Sequence, residues 1–140
     1  MAKAPVVVDL VWSSGLIFSG RSGQASVTLD SAGAAGPSPV QALALALAGC
    51  MMMDVAHILT KGRHAFRALR CHLVADRAGD EPHRITRATL TVIVTGDVPA
   101  DAVDRAIALS REKYCSVWHS MRQDIEFTTA FQLEAGEPAR

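Results

Sequence analysis

The chain has 140 residues, of which 49% are hydrophobic and 20% are charged. This length favours one domain around one core, and this composition excludes the disordered and collagen-like classes. The 14 Lys and Arg residues equal the 14 Asp and Glu residues in number, and they are scattered along the chain. Because no basic face or charged run stands out, we expect no nucleic-acid partner and no membrane partner. The near-zero net charge favours self-association.

Neither a signal peptide nor a membrane span is expected from the apolar segments. The opening "MAKAPVVVDLVW" lacks the signal-peptide pattern, because a proline and an aspartate interrupt its apolar run. Residues 42–53 form an apolar run of 12 residues, and a bilayer requires about 20 apolar residues. We therefore expect a cytoplasmic protein, in which three cysteines are free or redox-active rather than joined in structural disulfides.

The first part of the chain, residues 5–30, predicts a three-stranded antiparallel meander. Apolar residues alternate with smaller or polar ones from Val6 to Trp12, as in a half-buried strand. The segments "LIFSG" and "QASVTLD" predict the second and third strands. Between them, "GRSG" at residues 20–23 is predicted to be a turn, because its two glycines adopt backbone angles that other residues resist.

A long central helix is predicted over residues 39–61, after a loop of small residues. Ser38 is a suitable N-cap and Pro39 suits the first helical position, while "KGR" is a C-terminal signature. Residues 40–53 are apolar on every side of this helix. Such a helix is expected to be surrounded by protein, at the centre of the fold.

The last part, residues 64–133, predicts a hairpin, a second helix and a final strand. The hairpin strands are "FRALRCHLVADR" and "RITRATLTVIVTG", and the second helix follows Pro99. The helix is predicted to present one buried face, formed by Val103, Ala106, Ile107, Ser110 and Tyr114. About six strands and two main helices, in separate blocks, predict an α+β fold of antiparallel sheets, in a single domain spanning residues 1–140.

The first candidate for chemistry is Cys50, which lies within the apolar helix. Its helical face also carries Leu43, Ala46, Leu47, Met53, Asp54 and His57. The last four of these would form a pocket beside the thiol. An ordinary thiol is only about 3% thiolate at pH 7, and apolar burial lowers that fraction. A reactive Cys50 would therefore need a cation from elsewhere.

The second candidate is Cys115, in "SREKYCSVWHSM". Arg111, Lys113 and a histidine make its surroundings electropositive. From the residues alone, Cys50 and Cys115 are either a redox pair or two small buried hydrophobes, because spacing does not show whether they meet. Cys71 alternates with leucines on a strand and is expected to be packing. The histidines and cysteines show no metal-ligand spacing.

Two segments carry a family resemblance. "GPSPVQALALALAGCMMMDVAHIL" resembles the central-helix motif of the OsmC/Ohr family, and "LSREKYCSVWHSM" resembles that family's second cysteine segment. The opening "GLIFSGRSG" with "VTLD" is similar to the YhfA-like branch. The similarity spans residues 15–133, in order.

The resemblance implies an intertwined homodimer with the long helices buried at its centre. It also implies thiol-dependent reduction of organic, lipid-like hydroperoxides, with Cys50 as the peroxidatic thiol and Cys115 as the resolving thiol. The resulting disulfide would be reduced by an external dithiol or lipoyl partner, without a bound cofactor. The apolar residues near Cys50 would then receive the alkyl part of the peroxide.

The chain departs from the family pattern at the residues that support the thiolate. Family peroxidases use an Arg from the N-terminal loop and a Glu near the start of the long helix. Arg21 stands at the Arg position, but Val40 and Gln41 stand where the Glu is expected. The candidates for thiolate support are therefore Arg21, Arg111 and Gln41. A non-catalytic redox sensor, an apolar-ligand binding protein and a dimeric scaffold remain alternatives.

Overall fold

The computed structural model of the protein describes residues 2–136. Within that range the chain forms six strands and two main helices, in two three-stranded sheets. The predicted α+β class is confirmed. The chain divides into two compact units, and the boundary between Leu45 and Ala46 falls inside the first helix. The prediction of a single domain over residues 1–140 stays a prediction.

The N-terminal unit contains the predicted antiparallel meander, in the order β1-β2-β3. Its strands are β1 (Asp9–Ser14), β2 (Ile17–Ser22) and β3 (Ala25–Asp30). Ser22 pairs with Ala25, so the second hairpin has a two-residue turn. Gly23 takes the first turn position with a φ of 59°, a left-handed angle that suits glycine in a tight hairpin.

Two details of this unit differ from the prediction. The turn predicted over residues 20–23 is shorter, because β2 continues through Ser22 before the chain reverses. The first strand begins at Asp9 rather than Val6, and all six of its residues are exposed in the single chain. Trp12, for example, is 63% exposed. The predicted half-buried alternation is therefore wrong for one isolated chain.

The loop before the helix is organised by the carboxylate of Asp30. Its two oxygens accept hydrogen bonds from the backbone N–H groups of Ala32, Ala34 and Ala35, at 3.0, 3.3 and 2.9 Å. These bonds, that from Ala35 most of all, hold the pKa of Asp30 below its ordinary value. A loop of small residues therefore gains a defined path towards the helix.

Helix α1 runs from Pro39 to Lys61, as predicted. At its start, Gln41 N–H donates to Ser38 Oγ at 3.2 Å, and Ser38 N–H donates to Gln41 Oε1 at 2.9 Å. This reciprocal capping box satisfies two backbone donors that the first helical turn would otherwise leave free. The Ser38 and Pro39 signal is therefore a genuine helix start.

The predicted burial of α1 on every side is wrong in the single chain. Its buried residues are Leu47, Met51, Val55 and Leu59, spaced four apart along one face. Leu45 and Met53 on other faces are 64% and 74% exposed. The whole helix is long and apolar enough to cross a membrane by length and composition alone, a test that core helices of soluble proteins also pass.

The C-terminal unit contains a mixed sheet in the order β4-β5-β6. Its strands are β4 (Phe66–Arg77), β5 (Ile85–Gly96) and β6 (Glu126–Glu134). The central strand β5 supplies much of the core, with Ala88, Leu90, Val92 and Val94 nearly inaccessible, as predicted. The β4–β5 pair is antiparallel, whereas β5 and β6 are parallel.

The parallel pair requires a crossover that the sequence pattern did not predict. Helix α2 (Ala100–Leu109) supplies it, since parallel neighbours need a long connection. A π-helical turn, Ser110–Tyr114, follows α2, and a short helix α3 covers Ser116–His119.

The π-helical turn changes which residues face the interior. Cys115 N–H donates to the carbonyl of Ser110 at 2.7 Å, five residues back instead of four. Tyr114 was predicted to share the buried face of α2, but it is 49% exposed, whereas Cys115 is fully buried. The wider turn has rotated the thiol into the position that an uninterrupted α-helix would give to the tyrosine.

We expect Asp30→Asn to destabilise the protein at neutral pH, because a neutral amide accepts hydrogen bonds from the loop more weakly than a carboxylate. The pKa of Asp30 in the folded protein lies below the ordinary 3.8. The stability that its carboxylate contributes is therefore fully present above the ordinary pKa, and it is lost as the pH falls through the pKa of the folded state. Urea unfolding from about pH 7 to about pH 3 should show the difference between variant and wild type shrinking. Asp101→Asn, at an exposed position, is the control. A difference independent of pH would contradict the assignment.

Candidate functional site

The structure brings the thiols of Cys50 and Cys115 together. Cys50 is half-buried on α1, and Cys115 is buried between the π-helical turn and α3. The two thiols are close enough for Cys50 to act on the pKa of Cys115, and neither is in a disulfide. The sequence left open whether these two cysteines meet. In the structure they are neighbours within the C-terminal unit.

Backbone hydrogen bonds hold Cys115 in place from both sides. Its own N–H closes the π-helical turn, and its Sγ accepts a hydrogen bond from Trp118 N–H at 3.3 Å. Cys115 is thus the N-cap of α3. The indole of Trp118 packs against Phe127 with a centroid separation of 4.7 Å. The sulfur therefore sits in a rigid, buried setting.

A second contact joins α1 to the π-helical turn close to the thiols. The hydroxyl of Ser110 donates to Asp54 Oδ2 at 2.7 Å, and Met51 Sδ lies 3.2 Å from the Oγ of Ser110. Ser110 is fully buried. Asp54 follows Cys50 by one helical turn, so this contact adjoins the thiol pair. The sequence did not predict the Asp54–Ser110 pair. The one indication of it was a serine on the otherwise apolar face of the second helix.

The protein environment keeps Cys115 protonated at neutral pH. Its pKa is raised to about 11, first of all by burial. The N–H groups of Trp118 and Val117 oppose this shift, whereas the hydrogen bond to Cys50 and negative charge on Cys50 add to it.

A cleft of about 890 Å³ opens in the same unit. Of the four predicted pocket residues, Asp54 and His57 line it. Leu47 is in the core with 1% exposure, and Met53 is 74% exposed. The cleft wall also includes Tyr114, the residue before Cys115, and Arg105 of α2. This cleft has a mixed polar and apolar wall.

The predicted cations near Cys115 lie against aromatic rings. The Cζ of Arg111 is 5.1 Å from the centroid of Phe127, and the Nζ of Lys113 is 5.3 Å from that of Tyr114. Such cation–π contacts stabilise each charge where it stands. His119 Nε2 lies 3.0 Å from the carbonyl oxygen of Arg111.

The two other predicted supports belong to the N-terminal unit. Arg21 is exposed on β2, paired in register with Asp9 of β1. Gln41 uses its side-chain oxygen in the capping box of α1. Along that helix, nine residues separate Gln41 from Cys50, which corresponds to about 13 Å. Gln41 therefore takes part in the helix cap, and its support of the thiolate stays a prediction.

The remaining cysteine, Cys71, lies on β4 opposite Val92 of β5. It is half-buried, and burial raises its pKa. A thiol with this setting packs as a small hydrophobic side chain. Across the described residues 2–136, no group of three or more His, Cys, Asp or Glu side chains could hold a metal ion.

Comparison with known proteins identifies relatives over most of the chain. The family model of the OsmC-like proteins matches residues 31–130. Protein YhfA of Escherichia coli strain K12 is 35% identical over 127 residues, which cover 89% of this chain and 95% of YhfA.

Solved structures share the fold. A hypothetical protein from Aquifex aeolicus VF5 superposes with a TM-score of 0.89 at 24% identity, covering 96% of this chain and 100% of that one. The organic hydroperoxide resistance protein OsmC from Legionella pneumophila gives a TM-score of 0.69 at 11% identity, covering 94% and 99%. On the family match and the YhfA relative together, this chain belongs to the OsmC-like proteins, a family that includes organic hydroperoxide resistance proteins.

Proposed function

We propose that this protein is a thiol-dependent peroxidase that reduces organic hydroperoxides. The observation that carries the proposal is the proximity of the Cys50 and Cys115 thiols, because it gives an attacking sulfur a resolving partner. Family membership supports it, since hydroperoxide resistance is the named role of the Legionella relative.

The first step is attack by the Cys50 thiolate on the terminal oxygen of the peroxide. The O–O bond breaks, the alkoxide leaves with a proton as an alcohol, and Cys50 becomes a sulfenic acid. The sulfur is oxidised by two electrons and the peroxide is reduced by two. Cys50 suits this role because it is only half-buried, whereas Cys115 is fully buried.

The second step joins the two sulfurs. The Cys115 thiol condenses with the Cys50 sulfenic acid, forming the S–S bond and releasing water. Cys115 begins the step with its proton in place, because its pKa is about 11. An external dithiol or lipoyl partner then returns both cysteines to thiols and becomes a disulfide itself.

The substrate side of Cys50 is an exposed apolar stripe on α1. Ala46, Cys50 and Met53 follow one another at helical spacing, and both neighbours of the cysteine are exposed. Methionine is flexible and polarisable, so it adapts to alkyl chains of different shape. The proposed substrate is therefore a hydroperoxide with an apolar, lipid-like body.

We propose a homodimer as the working form. Many large apolar side chains are exposed in the single chain: Val6, Val7, Val8, Leu10, Val11, Trp12, Leu16, Leu45 and Met53. Exposed apolar side chains in such number are typical of protein interfaces. A second copy would cover exposed residues of β1 and, separately, of α1. Since proteins of this family are generally soluble, we propose a cytoplasmic location.

A redox sensor is the second candidate, and two observations favour it. The charge of Arg111 lies against Phe127, and Gln41 serves the capping box instead of holding an arginine. A sensor would form its disulfide once and remain oxidised, whereas an enzyme would be reduced again and react with further peroxide. Multiple turnovers with alkyl hydroperoxide and dihydrolipoamide distinguish the two.

Cys50→Ser should abolish this turnover, by more than about 100-fold, because the attacking sulfur is lost. Cys115→Ser should oxidise once and then stall, since the sulfenic acid has no partner. Cys71→Ser, at a packing position, is the matched control and should retain activity. Turnover by Cys50→Ser at the wild-type rate would remove the proposed role.

The pKa of Cys115 should fall below about 11 in Cys50→Ala, because the hydrogen bond and the charge of Cys50 both raise it. It should stay above the ordinary 9.0, since burial is the largest cause. Thiolate absorbance in a Cys71→Ser background measures it, with circular dichroism showing that each sample remains folded. An unchanged pKa would contradict the pairing.

Light scattering should give a particle of twice the 14.9 kDa chain mass. Leu45→Lys places a charge on the exposed face of α1 and should favour monomers on dilution, because an unpaired charge is costly in an apolar interface. Asp104→Lys, at an exposed polar position of α2, is the control. A wild-type monomer at every concentration would refute the dimer.

A further inference from the structure

We infer that Asp54 and Ser110 are a positioning pair, which holds the resolving cysteine, Cys115, against Cys50. The inference rests on the proposed function and deepens it. It assigns a role to a carboxylate and a hydroxyl that do not react with either cysteine sulfur. Asp54 lies on the helix of Cys50, and Ser110 begins the turn that ends at Cys115.

The pair links the two segments that carry the sulfurs. The Ser110 hydroxyl donates to Asp54 Oδ2 at 2.7 Å, the length of a strong hydrogen bond to a carboxylate. Asp54 and Cys50 are neighbours on α1, at i and i+4. The position of Ser110 relative to α1 therefore determines how closely the π-helical turn approaches Cys50.

Ser110 transmits that position to Cys115 through its backbone. Its carbonyl accepts the N–H of Cys115 at 2.7 Å, which closes the π-helical turn. Ser110 is thus bonded to α1 by its side chain and to Cys115 by its main chain. Beyond Cys115, the sulfur is fixed by Trp118 N–H at 3.3 Å. Few degrees of freedom remain between the two thiols.

Packing alone does not explain these residue types. The neighbouring buried positions of α2 are Val103, Ala106 and Ile107, so an alanine would fit the pattern at position 110. A buried hydroxyl is costly unless it is hydrogen-bonded. The hydrogen bond to Asp54 compensates for that cost, and positioning the resolving thiol is the role that we assign to this contact.

The chemistry depends on this placement in the second step. A sulfenic acid is consumed by Cys115 only if the sulfurs reach bonding distance, since a disulfide requires Cα atoms within about 7 Å. A displacement of about 1 Å can slow a reaction between fixed groups by about 100-fold. The first step forms no bond to Cys115, so we expect it to depend much less on where Cys115 lies.

Asp54→Ala and Ser110→Ala test the pair, and Asp54→Asn tests its geometry, because the amide retains an oxygen acceptor. Rapid mixing with alkyl hydroperoxide, followed by dimedone trapping and mass spectrometry, separates sulfenic acid formation from disulfide closure. We expect both alanine variants to close the disulfide about 10- to 100-fold more slowly, with Cys50 oxidation within about twofold of wild type. Asp54→Asn should recover most of the closure rate.

The double variant Asp54→Ala/Ser110→Ala should be no slower than either single variant, as expected for two halves of one contact. Asp104→Ala, an exposed carboxylate on α2, is the matched control and should behave as wild type. Ser110→Ala removes only one oxygen atom from the side chain. It therefore still tests the positioning pair if Asp54→Ala folds poorly. Closure at the wild-type rate in Ser110→Ala would overturn the pair. Equal slowing of both steps would overturn it as well.

A peroxide-free measurement separates this inference from the proposed function. In glutathione buffers, oxidised glutathione converts the two thiols to a disulfide and is itself reduced to two thiols. The equilibrium constant should fall about 10-fold or more in the alanine variants, because the sulfurs are less well placed. If the equilibrium constant falls in the alanine variants but the wild type shows no peroxidase activity, the proposed function is refuted and the positioning role of Asp54 and Ser110 is retained. No shift would refute the pair, whatever the peroxidase activity.

Discussion

The proximity of the Cys50 and Cys115 thiols is the constraint on which the proposed chemistry depends. Cys50 is half-buried on α1 and Cys115 is fully buried, so the two residues differ in exposure although their thiols interact. Burial also raises the pKa of Cys115 to about 11. One thiol can therefore meet a substrate, and the other keeps its proton until the first has been oxidised.

The local backbone departs from regular helix where this contact is made. A π-helical turn between α2 and α3 brings Cys115 inward, and turns of this kind occur frequently at functional sites. Ser110 begins the turn with a buried hydroxyl bonded to Asp54. A hydrogen-bonded polar contact within an apolar core specifies one arrangement of its partners, so the distance between the two sulfurs follows from the fold itself.

Much of the fold could be predicted from local chemistry. The bounds of α1 follow from capping by Ser38 and Gln41 and from the "KGR" ending, and the buried face of β5 follows from its alternation. The parallel pairing of β6 and the π-helical turn depend on packing between distant segments, which local patterns do not contain. For the same reason, the sequence named both cysteines without showing that they meet, and the α2 periodicity selected Tyr114 for the interior instead of Cys115.

A crystal structure of the protein after one equivalent of alkyl hydroperoxide tests the central claim most directly. The account predicts continuous electron density between the sulfurs of Cys50 and Cys115, at the S–S length of about 2.05 Å. Two separate sulfurs, with added oxygen atoms on Cys50 and an unchanged Cys115, would contradict it.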